Sequence, residues 1–290
     1  VRAHYYPALE GLLKDVFENR QPTTDGEGGQ QKVDKVFVFD HTLRTSTVDP
    51  AKLNADAGFS HAGGTADAAE EGKNVKVKAE PRLAASVQRV HCDYTANSAP
   101  RRLQQLSSGK MASYTGVDLS SKSKSTGASA PYDVEHNVFS PDGPQKRFAF
   151  VNVWRSIDGN SPVKCRPLAL LDPRSVGRAE FLTYFLHFED RVGENYSLLP
   201  PPSAENHEWW FFSNMRRDEA LVFSVFDKKW AAGGERDGTH PGTGEKFGDG
   251  GGNGAGFVFH TAFDLDQPPD AGAVPPRKSI EARCIVIFDS

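Results

Sequence analysis

A histidine and an aspartate stand two residues apart in the stretch RVHCDYT, residues 89–95. Side chains alternate along an extended strand, so His91 and Asp93 share a face and can both reach one ion, with Cys92 turned away. Alone the pair means little: the chain has nine histidines, chance alone can produce such a pair, and His187-Phe188-Glu189 competes with it. Two histidines and one carboxylate on one face of Fe(II) leave three positions for a cosubstrate and oxygen. A second histidine is therefore required downstream, on another strand. His260 lies within the apolar run GFVFHTAF, although a histidine in such a run is more commonly a core residue satisfied by a backbone carbonyl. His207, just before EWWFF, is its rival, with packing or substrate contact as its other roles.

Beyond His260 comes PPRKSIEARCIVIF. Arg277, Ser279 and Arg283 fall at even offsets, so on one strand they line a single face, and an interior guanidinium demands an anionic partner. A five-carbon keto diacid such as 2-oxoglutarate chelates iron through its keto-carboxylate end, and its far carboxylate suits a guanidinium with a hydroxyl beside it. Arg277 and Ser279 fit that role. The interval from His260 to Arg277 is long enough to finish one strand, turn through DLDQPPDAGAVPP and return alongside.

The elements that must position these groups read as strands. Runs rich in Val, Ile and Phe recur at 36–39, 147–154, 220–226, 256–263 and 280–288, punctuated by Gly, Pro and Ser. This predicts a mainly β barrel or sandwich with peripheral helices rather than a doubly wound sheet. Helical candidates are 6–18, 51–54, 82–90 and the stretch around 177–185. Asn152 and Trp154 alternate onto one strand face and, with Tyr94, Tyr196 and Trp209, are candidate pocket walls; core packing is the commoner fate of such aromatics. The Ser-rich segment 106–130 and the Gly-rich segment 232–256 lack the apolar content to fold alone and read as insertions. GGGNGA precedes a strand instead of following one, and GTGEKFG lacks the ending of a phosphate-binding loop, so neither is a nucleotide site.

At 290 residues with 38% hydrophobic content the chain reads as one domain with a real core, 1–80 flanking a core over 85–290. A net charge of −4 gives no footprint for nucleic acid, and no apolar run is long enough for a membrane span. No secretory signal is visible. Three scattered cysteines argue against a disulfide framework and make the cytoplasm the default compartment, which renders the sequon at Asn195 accidental. No Gly-x-Ser-x-Gly elbow supports a serine hydrolase.

His-x-Asp, a distal His and Arg-x-Ser, in that order, resemble the iron(II)- and 2-oxoglutarate-dependent oxygenases, whose fold is a double-stranded β-helix (jelly-roll, cupin-like). More narrowly the chain is similar to the AsaB-like hydroxylase/desaturase family of fungal secondary metabolism, which includes a gibberellin desaturase. The stretches VHCDYT, FVNVWRSI, PLALLD, ENYSLLP, HEWWFFSNMRRDEALVFSVFD, HTAFD and RKSIEAR carry the likeness over residues 89–288. The resemblance implies Fe(II) on His91, Asp93 and His260, 2-oxoglutarate on Arg277 and Ser279, and O2 as oxidant. By analogy with demethylases of the same superfamily, it places Arg283 near the iron-proximal carboxylate. It implies a small-molecule substrate whose C–H bond is hydroxylated, desaturated or closed into a ring. The two insertions depart from the family pattern, so substrate identity does not carry over. An iron oxidase that uses no oxoacid, and a non-catalytic cupin-like binding protein, remain open alternatives.

Overall fold

β-branched and aromatic runs favour strands over helices, and the computed structural model is built mainly from them; it describes residues 1–19, 31–47, 84–107, 132–176, 180–187, 192–200, 207–229, 256–266 and 273–289. The strands are β1 (Val33–Thr45), β2 (Ala84–Ala85), β3 (His91–Cys92), β4 (Phe148–Ser156), β5 (Leu168–Leu171), β6 (Phe181–His187), β7 (Val192–Leu198), β8 (Trp209–Phe211), β9 (Leu221–Asp227), β10 (His260–Ala262) and β11 (Lys278–Phe288). They form a five-stranded sheet in the order β2-β1-β11-β4-β9 and a six-stranded sheet in the order β6-β7-β3-β10-β5-β8. One apolar cluster joins the sheets, with Phe39, Phe150, Trp154 and Ile285 from the first and Cys92, Leu171 and Tyr196 from the second. The architecture is the expected mainly β double-stranded β-helix.

Strand β11 is central in its sheet and buried on both faces, and its second half, 284–288, is an unbroken apolar run. Alternation sorts its side chains. Ile285 and Ile287 face the inter-sheet core. Ala282, Cys284, Val286 and Phe288 face the other way, under helix α1 (Tyr5–Glu18). Tyr6, Leu9 and Leu13 recur on one face of α1 and cover that outer surface, while Pro7 sits in the first turn, where its missing N–H breaks no helical bond.

A bulge in β1 decides what lies beneath the core. Val38 stands opposite Cys284 and Asp40 opposite Arg283, so Phe39 is an extra residue with no partner on β11. Phe37 and Phe39 face the inter-sheet core. Past the bulge the parity changes, and Asp40, Thr42 and Arg44 stand opposite Arg283, Glu281 and Ser279.

Helix 6–18 is present as expected, and the strand at 256–263 shrinks to His260–Ala262. Two expected helices are corrected. The described part of the segment 82–90 is not helical: Ala84 and Ala85 pair with β1 in parallel, and 86–90 lead into β3 without regular secondary structure. The 177–185 stretch is a strand from Phe181, because FLTYFLH has the aromatic and β-branched content of an edge strand. Conversely α2 (Ser98–Ser107) arises where no helix was expected. Thr95 and Ser98 cap it reciprocally, Ser98 Oγ accepting from the Thr95 N–H at 2.8 Å and Thr95 Oγ1 from the Ser98 N–H at 3.0 Å. Ala99, Leu103 and Leu106 form its buried stripe, so the Ser-rich segment does not begin at 106. The remainder of that segment, the Gly-rich tract up to 255 and the candidate helix 51–54 lie outside the described residues.

Candidate metal centre

Two short strands bring the sequence-predicted ligands together. In the antiparallel pairing of β3 with β10, His91 and His260 are directly opposite, and their rings lie 4.4 Å apart between centroids. Asp93 follows β3 by one residue on the side of His91. One ligand atom from each of His91, Asp93 and His260 lies within 4.8 Å of the others, and all three residues are buried. Among the described residues no other group of three histidine, cysteine or acidic side chains is arranged this way.

The hydrogen bonds around the triad prepare each ligand. His91 Nδ1 lies 2.8 Å from the Arg89 carbonyl, and His260 Nδ1 lies 3.2 Å from the Val258 carbonyl. A carbonyl only accepts, so each Nδ1 carries the proton and each Nε2 is left with a lone pair. Burial and then the neighbouring His91 press the His260 pKa down to about 4, keeping that imidazole neutral. The two oxygens of Asp93 divide their work. Oδ2 accepts from Asn152 Nδ2 at 2.8 Å and lies 3.7 Å from Arg283 Nε. Oδ1 is buried without a hydrogen bond and approaches His91 Nε2 at 3.5 Å. Burial alone would raise the Asp93 pKa, but its polar neighbours, with the Arg283 guanidinium the permanent positive charge among them, outweigh burial and hold the carboxylate below its ordinary range. A buried site offering two imidazole lone pairs and one anionic oxygen without a hydrogen bond fits a divalent cation.

On one side of the triad, Arg44, Trp154, Arg277 and Glu281 line a narrow cavity with His91 and His260. The Arg277 guanidinium is buried over the Trp154 ring at 5.6 Å and donates from one terminal nitrogen to the Arg166 carbonyl. Its Nε and the Ser279 hydroxyl are buried without hydrogen-bond partners. Burial and then Arg44 push the Arg277 pKa down to about 10, the mark of a cation lacking a close counter-charge. On the other side, Asp93 and Arg283 floor a larger cavity walled by Tyr94, Arg102, Leu186 and Asn195.

Arg283 does lie beside the triad, and its guanidinium is held by acidic groups. It donates to Glu281 Oε1 at 2.8 Å and Thr42 Oγ1 at 2.9 Å and pairs with Asp40 at 3.2 Å. Burial opposes its charge, but Glu281, Asp93 and Asp40 more than compensate and raise its pKa.

The other expected residues separate into groups. Tyr94 walls the larger cavity, its ring 4.4 Å from Phe150. Trp154 faces the Arg277 cavity, and Asn152 reaches Asp93. Tyr196 stacks on Phe257 at 5.3 Å within the core. His207 does not join the triad; its Nε2 lies 3.5 Å from Glu180 Oε2. Trp209 is exposed on the edge strand β8. His187 ends β6, and Glu189 lies outside the described residues. Sequence reasoning missed Asp40, Thr42, Arg44 and Glu281. Glu281 shares the even spacing of Arg277 and Ser279, a signal that was available; the other three were hidden by the bulge at Phe39.

The oxidoreductase/YMDC permease-like domain matches the chain over residues 1–121 and 117–287. Similar proteins include hydroxylase/desaturase CTB9 of Cercospora beticola, 32% identical over 151 residues covering 49% of this chain and 38% of that protein. Hydroxylase/desaturase asaB of Aspergillus flavus is 27% identical over 153 residues, covering 49% of this chain and 56% of its own. The chain thus spans about half the length of the curated relatives it matches. A variant of the iron and alpha-ketoglutarate-dependent endoperoxidase NvfI superposes with a TM-score of 0.56 at 18% identity, covering 100% of this chain and 70% of that one. At that identity the likeness is one of fold.

Proposed function

The chain belongs to the oxidoreductase/YMDC permease-like family, and from that premise we propose that it is an iron(II)- and 2-oxoglutarate-dependent oxygenase. Its substrate is a small-molecule natural-product intermediate with an unactivated C–H bond, and the outcome is hydroxylation, desaturation or oxidative ring closure. One observation carries the reading: three ligand atoms converge in a buried site beside a buried guanidinium and a buried hydroxyl that still have hydrogen bonds to make.

His91, Asp93 and His260 would hold the iron. Bound there with 2-oxoglutarate, iron(II) would supply the oxidising chemistry that turns O2 against a C–H bond at the expense of the oxoacid. The protein's own groups hold and aim. The Arg89 and Val258 carbonyls fix the two imidazoles, Asn152 and Arg283 fix the carboxylate, and Arg277 with Ser279 takes the far carboxylate of the oxoacid. The larger cavity, floored by Asp93, suits the organic substrate.

One domain over residues 1–290, with the β-helix core at 85–290, is part of this reading. So is a cytoplasmic site of action, supported by three free cysteines. The acidic balance of charge favours a small substrate over nucleic acid. No helix among the described residues is long and apolar enough to cross a membrane.

Anaerobic titration with Fe(II) and then 2-oxoglutarate tests the proposal. The expected result is the weak visible band of the chelate, lost in Asp93→Ala and shifted to higher oxoacid concentration in Arg277→Gln with iron binding retained. Persistence of the band in Asp93→Ala sinks the ligand assignment. Oxygen uptake indifferent to 2-oxoglutarate would instead favour an iron oxidase that needs no oxoacid.

A further inference from the structure

Arg44 reaches the triad-side cavity from a different strand than Arg277. It stands opposite Ser279 in the β1–β11 register and, like Arg277, lines the cavity that contains His91 and His260. Its side chain is buried, and its one hydrogen bond to a described residue runs from Nη1 to the Ala85 carbonyl at 2.8 Å. Among the described residues no carboxylate lies within ion-pair distance of either guanidinium. Glu281, the nearest acid in the cavity, is already engaged by Arg283 at 2.8 Å. Among the described residues, two buried cations thus face one small space, each bonded only to a neutral carbonyl. Burying one such charge unpaired is costly, and burying two together adds their mutual repulsion. An anion that bridges them removes both penalties at once.

We propose that Arg44 is a specificity-determining residue that joins Arg277 and Ser279 in gripping the far carboxylate of a dianionic oxoacid, so that the site rejects oxoacids lacking that carboxylate. The inference rests on the oxygenase reading above and deepens it. Arg44 can form charge-assisted bonds to a carboxylate that reaches the Ser279 hydroxyl, because the register sets the two residues side by side. A monoanionic oxoacid of the same chelating type would leave both guanidinia without a directly bonded counter-charge among the described residues.

The test compares 2-oxoglutarate with 2-oxobutanoate, which keeps the chelating end and lacks the far carboxylate, by anaerobic titration of the iron chelate band in wild type, Arg44→Met and Arg44→Lys. In Arg44→Met, 2-oxoglutarate is expected to bind about 10- to 100-fold more weakly, the loss of one charged hydrogen-bonding partner. Affinities for 2-oxobutanoate and Fe(II) should stay within about 3-fold of wild type. Arg44→Lys, which keeps the charge, should recover part of the loss; it also serves if the methionine variant fails to fold. Unchanged 2-oxoglutarate binding in both variants overturns the inference and leaves the oxygenase reading standing. Equal weakening for both oxoacids also overturns it, since that marks Arg44 as a structural prop for Ala85. Absence of any chelate band in the wild-type protein overturns the oxygenase reading itself, and the inference with it.

Discussion

Asn152 gives its side-chain N–H to one oxygen of Asp93 at 2.8 Å, and the other oxygen of that carboxylate is left facing the two histidines. The amide therefore selects which oxygen meets a metal. Asn152→Ala should weaken Fe(II) or Zn(II) binding by about 10- to 100-fold while the fold is retained, as losses of groups that orient a ligand do. Asn152→Asp should be worse, because it sets a second carboxylate against the first. Competition titration with a chromophoric chelator measures both; affinities equal to wild type would remove Asn152 from the site.

Arg283 touches Asp40, Glu281 and Asp93 at 3.2, 2.8 and 3.7 Å. Arg283→Met strands buried negative charge, and the expected cost in metal-free protein is about 3–5 kcal/mol. A divalent cation should recover part of it, since the ion supplies positive charge at the same place. Thermal melts with and without Zn(II) give the answer: a variant destabilised equally in both conditions contradicts this account.

His41 lies beneath α1, its Nδ1 2.8 Å from the Tyr6 hydroxyl, and burial holds its pKa below the ordinary histidine value. Below the ordinary value of about 6.5, the unfolded chain takes up a proton that the folded chain resists. Stability is therefore fully present above that pH and declines as pH falls toward the depressed folded value. Urea midpoints between about pH 7.5 and pH 5 should fall more steeply for wild type than for His41→Gln. Parallel profiles would mean that His41 contributes nothing to acid sensitivity.

Leu13 of α1 is fully buried, whereas its neighbour Leu12 is 39% exposed. Leu13→Ala is expected to cost about 2–5 kcal/mol, and Leu12→Ala within about 0.5 kcal/mol. Chemical denaturation distinguishes them. Similar values would show that α1 packs in a different rotation.

The triad could be read in the sequence because its signal is local. His91 and Asp93 obey strand parity, and His260 sits in a strand-like run at a workable distance before the arginine strand. Arg277, Ser279 and Arg283 followed from the same parity rule, and the apolar residues that follow on β11 alternate between the two clusters. Glu281 fell on that face as well, but an acid among groups chosen to hold an anion runs against expectation. Only the three-dimensional pairing with Arg283 explains it. Helix α2 was obscured by Pro100 and a string of polar residues; its cap and buried stripe become visible once Thr95 and Ser98 are seen to bond each other. The aromatic residues divided by layer rather than by type. Trp154 faces the cavity and Trp209 faces solvent, a difference that neither side chain announces.

Phe39 makes β1 a strand whose odd and even positions trade places partway along. Length changes between Phe39 and Arg44 are therefore compatible with this site only in twos. A single added or lost residue would send Thr42 and Arg44 to the helix-covered side and bring His41 and Leu43 inward, emptying one wall of its charges while leaving every ligand in place.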